Sequence, residues 1–213
     1  MACGYPEAAL PSCAMKHLHR PGLYAWSRFD EARNIDFHSY VVCQPGGNVI
    51  VDPLPMSDHD RAHLQELGGA DWVVVTNSDH ARAARSLAQA VGAPIAGPAA
   101  EKTTFPIDCA RWLEEGSELA GGIRVLALDG SKTPGELALL VDGHTLITGD
   151  LIRAHRGGGL DLLPANKLAD PAAAKASVER LIGLDGLDAV LTGDGWPVFR
   201  DGQARLQELF ASL

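Results

Sequence analysis

Three segments of this chain repeat one pattern. "VVVTNSDH" (73–80), "LITGDLI" (146–152) and "VLTGDGW" (190–196) each run an apolar stretch into a threonine and then, within three residues, an aspartate. A short apolar run that closes in turn residues reads as a buried strand. In open α/β sheets, ligands gather beyond the carboxyl ends of strands. If these strands are neighbours, Asp79, His80, Asp150 and Asp194 meet at one sheet edge. A further strand end, "LDGSKTPGE" (128–136), adds Lys132.

Such a meeting has an electrostatic consequence. Two carboxylates about 4 Å apart repel by roughly 4 kcal/mol at an effective dielectric near 20. Three of them need a metal ion, a buried cation such as Lys132, or a bound proton. Taken singly, each aspartate also suits a helix cap or a turn.

The rest of the chain alternates strands with helices. "LYAWSRF" (23–29) and "FHSYVVC" (37–43) read as strands, followed by the turn "QPGGN" and the strand "VIVD" (49–52). "SDHDRAHLQELG" (57–68) starts on a capping residue and stops at glycine, as a helix does. "DHARAARSLAQAVG" (79–92) reads as a helix with Ala81, Ala84, Ala88 and Val91 on one face. The second half has the strand "IRVLAL" and a hairpin around Asp142-Gly143-His144. It continues with the helix "PAAAKASVERLIG", the strand "DAVLT" and the closing helix "GQARLQELFASL". Strands followed by helices in each half predict one layered α/β domain over 21–213. Residues 1–20 read as a disordered extension, rich in small residues and without the basic and apolar run of a secretory signal.

Charge narrows the partners. Eighteen Lys and Arg against 27 Asp and Glu give a formal net charge of −9, with no basic cluster, which argues against nucleic acid. No stretch is long and apolar enough for a membrane span. Cys3, Cys13, Cys43 and Cys109 do not fall at metal-ligand spacing and read as structural or free thiols of a cytoplasmic protein.

The order of a strand with "TNSDH", then "TPGE", then "TGD", then "TGDG" resembles the metallo-β-lactamase fold superfamily. The resemblance runs from about residue 23 to 213 and includes the "GGNVIVDP" and "WLEEGSEL" turns. It implies a four-layer αββα sandwich with the site at one edge of two sheets, and a hydrolase activity. The family pattern is His-x-His-x-Asp-His, a histidine at the Thr-Pro-Gly turn, a Gly-Asp aspartate that bridges two metals, and a final Gly-His. Here Asp79 and His80 match the Asp-His pair and Asp150 matches the bridging aspartate. Asn77 stands at the second histidine, Lys132 at the turn histidine and Asp194 at the final one. The resemblance implies that the metal site built on the first two histidines and the turn histidine has lost its dedicated ligands, while the site built on the Asp-His pair, the bridging aspartate and the final histidine keeps three groups and exchanges the fourth.

Two functions follow. In the first, Asp79, His80, Asp150 and Asp194 hold one divalent ion. An oxygen-rich shell with one nitrogen suits Mn or Fe at least as well as Zn. A metal-bound water then attacks the substrate, Lys132 stabilises the oxyanion, and Asp150 or Asp79 takes the proton. Asp79, Lys132 and Asp150 are its candidate catalytic groups. In the second, no metal binds, Lys132 neutralises the acidic pocket, and the protein binds a small molecule without catalysis. Asn77, Ser131, Arg153 and Trp196 are candidate pocket residues in either case, and Asn77 equally suits a helix cap. Histidines at i and i+4 in "HDRAH" (59–63) have zinc-protease spacing but lack a third ligand, so they read as a solvated helix face.

Overall fold

The protein is described as a computed structural model over residues 15–213. Two sheets lie face to face. The first has seven strands in sequence order: β1 (Lys16–His17), β2 (Leu23–Asp30), β3 (Ile35–Gln44), β4 (Gly47–Val51), β5 (Trp72–Val74), β6 (Ile95–Pro98) and β7 (Arg111–Leu113). β1 to β4 form an antiparallel meander, and β4 to β7 run parallel. The second contains β8 (Glu118–Leu119), β9 (Ile123–Leu128), β10 (Glu136–Val141) and β11 (Thr145–Thr148). A small ribbon of β12 (Ile152–Arg153) and β13 (Asp161–Leu162) precedes β14 (Ala189–Thr192), which pairs parallel with β11. The second sheet's order is β14-β11-β10-β9-β8.

Three apolar layers hold these sheets and four helices together. Val42, Val49, Val51 and Val74 of the first sheet pack on Val125, Leu137, Leu139 and Ile147 of the second. Helices α1 (Asp58–Glu66) and α2 (Ala84–Val91) cover the other face of the first sheet through Leu64, Ala84, Leu87 and Ala88. Helices α3 (Pro171–Ile182) and α4 (Gly202–Ala211) cover the second through Ala174, Val178, Leu181, Leu206 and Leu209. Strands buried on both faces carry near-continuous apolar runs, and "VVV" and "ELALLV" fit that rule. The result is the four-layer αββα sandwich expected from the sequence.

Two boundaries differ from that expectation. Residues 15–20 belong to the packed body: Met15 is buried, its backbone N–H donates to Asp60 Oδ1 at 2.6 Å, and β1 pairs with β2. The rest of the predicted extension lies outside the described residues, as do Cys3 and Cys13. The helix predicted over 79–92 begins only at Ala84. Ser78–His80 instead form a single 3-10 turn, and Arg82 takes a left-handed backbone (φ 27°) that ends it. Burying the His80 ring overrides the local helix preference there.

The hairpin at Asp142-Gly143 forms as predicted, both residues at positive φ (50° and 73°) between β10 and β11. Among the described residues, no helix is long and apolar enough to cross a membrane.

Candidate active site

The parallel register of β11 and β14 pairs Thr148 with Thr192, so Asp150 and Asp194 leave neighbouring strands at the same level. In the first sheet, β4 and β5 pair Val51 with Val74, which puts Asp52 and Thr76 at the matching edge. The sheets meet there: Leu137 N–H donates to the Thr76 carbonyl at 2.9 Å, and Tyr40 Oη donates to the Thr192 carbonyl at 2.6 Å. Strand ends of both sheets therefore open into one cavity of about 480 Å³, lined by Arg33, Phe37, Leu54, Asp79, His80, Arg82, Lys132 and Asp150.

His80 is fixed from below. Its Nδ1 donates to Asp52 Oδ2 at 2.7 Å, and Asp52 also accepts from Thr76 N–H and Thr76 Oγ1, each at 2.7 Å. Gly193 flanks the ring; a Cβ there would lie 2.8 Å from His80 Cε1. Burial opposes charging this imidazole. The Asp52 carboxylate and hydrogen bonds to Asp150 and Asp52 outweigh that cost and lift its pKa to about 9. The raised pKa favours the protonated ring.

Asp150 Oδ2 collects positive neighbours. His80 Nε2 lies 3.4 Å away, Lys132 Nζ 3.1 Å away, and Asn77 Nδ2 donates to it at 3.1 Å. Lys132 also reaches Asp79 Oδ2 at 2.6 Å. Burial would raise the Asp150 pKa, yet the His80 and Lys132 charges and hydrogen bonds hold it well below the usual carboxylate range. Burial likewise works against the Lys132 ammonium, and the two aspartates reverse this and raise its pKa. Asn77 does both jobs open to it: its Oδ1 caps the 3-10 turn by accepting from Asp79 N–H at 3.0 Å while its amide holds Asp150.

The remaining candidates stand apart. Asp194 is buried and taken by the Arg153 guanidinium and by His155 Nε2 at 3.2 Å. It does not line the cavity that Asp79, His80 and Asp150 share. Ser131 is buried and donates to Glu136 Oε2 at 2.6 Å. Trp196, 60 % exposed, lines a second cavity of about 300 Å³ with Phe29, Arg33 and His155. In the "HDRAH" helix, Asp60 is buried and bonded to Ser57 and the Met15 backbone, and His63 packs edge-on against Tyr24.

A divalent ion does not fit this donor set. A histidine ligand needs a neutral ring with a free lone pair; Asp52 at Nδ1 suits such a ring, whereas Nε2, the nitrogen left for an ion, faces Asp150 Oδ2 at 3.4 Å. Asp79 and Asp150 share the Lys132 ammonium, and Asp194 is committed to Arg153 and His155. Among the described residues, no group of three or more His, Cys, Asp or Glu is arranged to hold a metal ion.

Several groups of the site do not stand out in the sequence. Asp52 follows an apolar strand, as the other aspartates do, but no threonine comes before it and Pro53 follows. Glu136 ends the "TPGE" turn and is buried inside it. Its Oε1 accepts from Leu151 N–H at 2.7 Å and its Oε2 from Ser131, so it ties the Lys132 loop to the Asp150 loop. Burial, then the nearby Asp150 charge, push its pKa up to about 7. Arg33, Phe37 and Arg82 carry no motif at all.

Comparison with known proteins agrees with this architecture. Solved structures of similar shape include the DIM-1 metallo-beta-lactamase, at 16 % identity and a TM-score of 0.73 over 95 % of this chain and 98 % of that one. A metallo-beta-lactamase from Pontibacter korlensis aligns at 12 % identity and 0.71 over 95 % and 100 %. The mono-zinc form of FIM-1 from Pseudomonas aeruginosa aligns at 13 % and 0.70 over 94 % and 95 %. Identities this low speak for the fold alone. No curated protein matches the chain. A family model described as "Metallo-beta-lactamase superfamily" matches residues 15–213. The chain belongs to the metallo-beta-lactamase superfamily.

Proposed function

We propose that this chain is a metal-independent member of its hydrolase-like superfamily, with Lys132 and protonated His80 in place of an ion and a small molecule as its ligand. The crowding of Asp150 Oδ2 by His80, Lys132 and Asn77 carries this reading. An acidic chain with no basic cluster argues against nucleic acid as the partner.

A mononuclear hydrolase, with Asp79, His80, Asp150 and Asp194 around Zn, Mn or Fe, is the second reading. One observation favours it: Asp52 holds His80 Nδ1 in the way a carboxylate orients a metal-ligating histidine. It requires Lys132 to withdraw, His80 to lose its proton and Asp194 to leave Arg153.

The deciding experiment incubates the purified protein with Zn, Mn or Fe(II), desalts it and counts bound metal. Wild type is expected to retain far less than one equivalent, and Lys132→Ala more than wild type. Close to one equivalent on wild type overturns the metal-independent reading.

A further inference from the structure

Two guanidinium groups converge on one aromatic ring at the cavity mouth. Arg33 Cζ lies 5.5 Å and Arg82 Cζ 5.0 Å from the centre of the Phe37 ring. Like charges gathered this way need an anion or a carboxylate partner. Among the described residues, Arg82 has no carboxylate within ion-pair distance, and Arg33 has only Asp30 at 3.9 Å in an exposed turn. Lys132 and His80 are already matched by Asp79, Asp150 and Asp52. The surplus positive charge of the cavity therefore sits on Arg33 and Arg82, in a protein whose net charge is −9.

The backbone tells the same story. Arg82 is a non-glycine residue at φ 27°. Such residues cost free energy and cluster where geometry serves a site. The conformation carries the half-buried Arg82 side chain over Phe37, where its Nη1 donates to the His38 carbonyl at 3.3 Å. Arg33 also lines the second cavity, whose walls hold two exposed aromatic side chains, Phe29 (57 %) and Trp196 (60 %).

We propose that Arg33 and Arg82, braced on Phe37, form an anion clamp. The cavity's ligand is then an organic anion, a carboxylate or a phosphate monoester, whose apolar part extends towards Phe29 and Trp196. A guanidinium fork matches either headgroup, and exposed aromatic walls match a flat or apolar body. This inference rests on the reading of the cavity as a small-molecule site.

Calorimetric titration of the full chain at pH 7 with phenyl phosphate, benzoate, inorganic phosphate and benzyl alcohol tests it, with metal counted in the same samples. At least one aryl anion is expected to bind, about tenfold or more tighter than inorganic phosphate, while benzyl alcohol does not. Which aryl anion binds separates the phosphate from the carboxylate source. Arg33→Ala and Arg82→Gly each weaken that binding at least tenfold, and Trp196→Ala weakens aryl anions but not inorganic phosphate. Arg82→Gly also keeps or raises the unfolding temperature, because glycine relieves the backbone. A purely structural Arg82 would lower it instead. No anion bound by wild type, or equal affinity in Arg82→Gly, overturns the clamp. Metal on wild type overturns the metal-independent reading alone, and the Arg82→Gly ratio still judges the clamp.

Discussion

His80 Nδ1 and Asp52 Oδ2 stand 2.7 Å apart with side chains only 4 % and 3 % exposed, a buried pair at the cavity floor. The folded ring keeps its proton up to about 9, whereas an unfolded histidine releases it near 6.5. The folded state thus binds the extra proton between those values. The pair's stabilisation is complete below pH 6.5 and is lost as pH rises through about 9. Glu136 acts in the same direction lower on the scale: its pKa of about 7 against 4.5 makes stability fall across that interval. Asp150, held low, contributes stability that is lost only in acid, below its ordinary 3.8. Thermal unfolding at fixed ionic strength should show a midpoint that falls from about pH 6 to about pH 9. A midpoint that climbs over that window contradicts the pairing.

Glu136→Gln separates the two contributions. Glutamine keeps an acceptor for Leu151 N–H and can donate to Ser131, but it cannot ionise. The variant is expected to match wild type near pH 5 and to exceed it above pH 7. Glu136→Ala leaves two buried donors unpaired, which costs about 2–4 kcal/mol near pH 5 and less above pH 7, where the wild-type carboxylate is itself destabilising. Denaturant titration at both pH values distinguishes the outcomes.

Lys132→Ala removes the cation shared by Asp79 and Asp150. The ammonium is partly exposed, so the loss falls between a surface and a buried ion pair, about 1–2 kcal/mol. Added salt should recover part of it for the variant. A variant as stable as wild type in low salt would mean that Lys132 does not balance the pocket.

Gly193→Ala tests how tightly the ring is held. The added methyl would meet His80 Cε1 at 2.8 Å. Moving aside would break the Asp52 contact, so the substitution should cost about 1–3 kcal/mol and shift the histidine's titration as followed by NMR. An unchanged stability and titration curve would show that the ring moves aside.

Much of the fold was legible because strands buried on both faces leave unbroken apolar runs and caps punctuate the helices. Ser57 and Gly92 sit where their sequence context placed them. The parallel strand ends were legible too, since threonine-then-aspartate recurs in "LITGD" and "VLTGD". Side-chain pairing was not. Asp150 and Asp194 leave neighbouring strands at one level, yet His80 and Lys132 take the first and Arg153 and His155 take the second. Partners that arrive from 18 to 70 residues away in the chain leave no periodic trace. The 3-10 turn at Ser78–His80 escaped for a similar reason: the alanines after it favour a helix, and only tertiary burial of the ring stops one.

The close fit of Gly193 against the imidazole has an evolutionary meaning. The ring is a fixture of the framework rather than a tenant of the binding site, because neighbouring backbone sets its tilt and Asp52 anchors it underneath. Residues above it can be exchanged one at a time while the cradle keeps its shape. The counter-charge at such a centre can in this way change without any rebuilding of the scaffold beneath it.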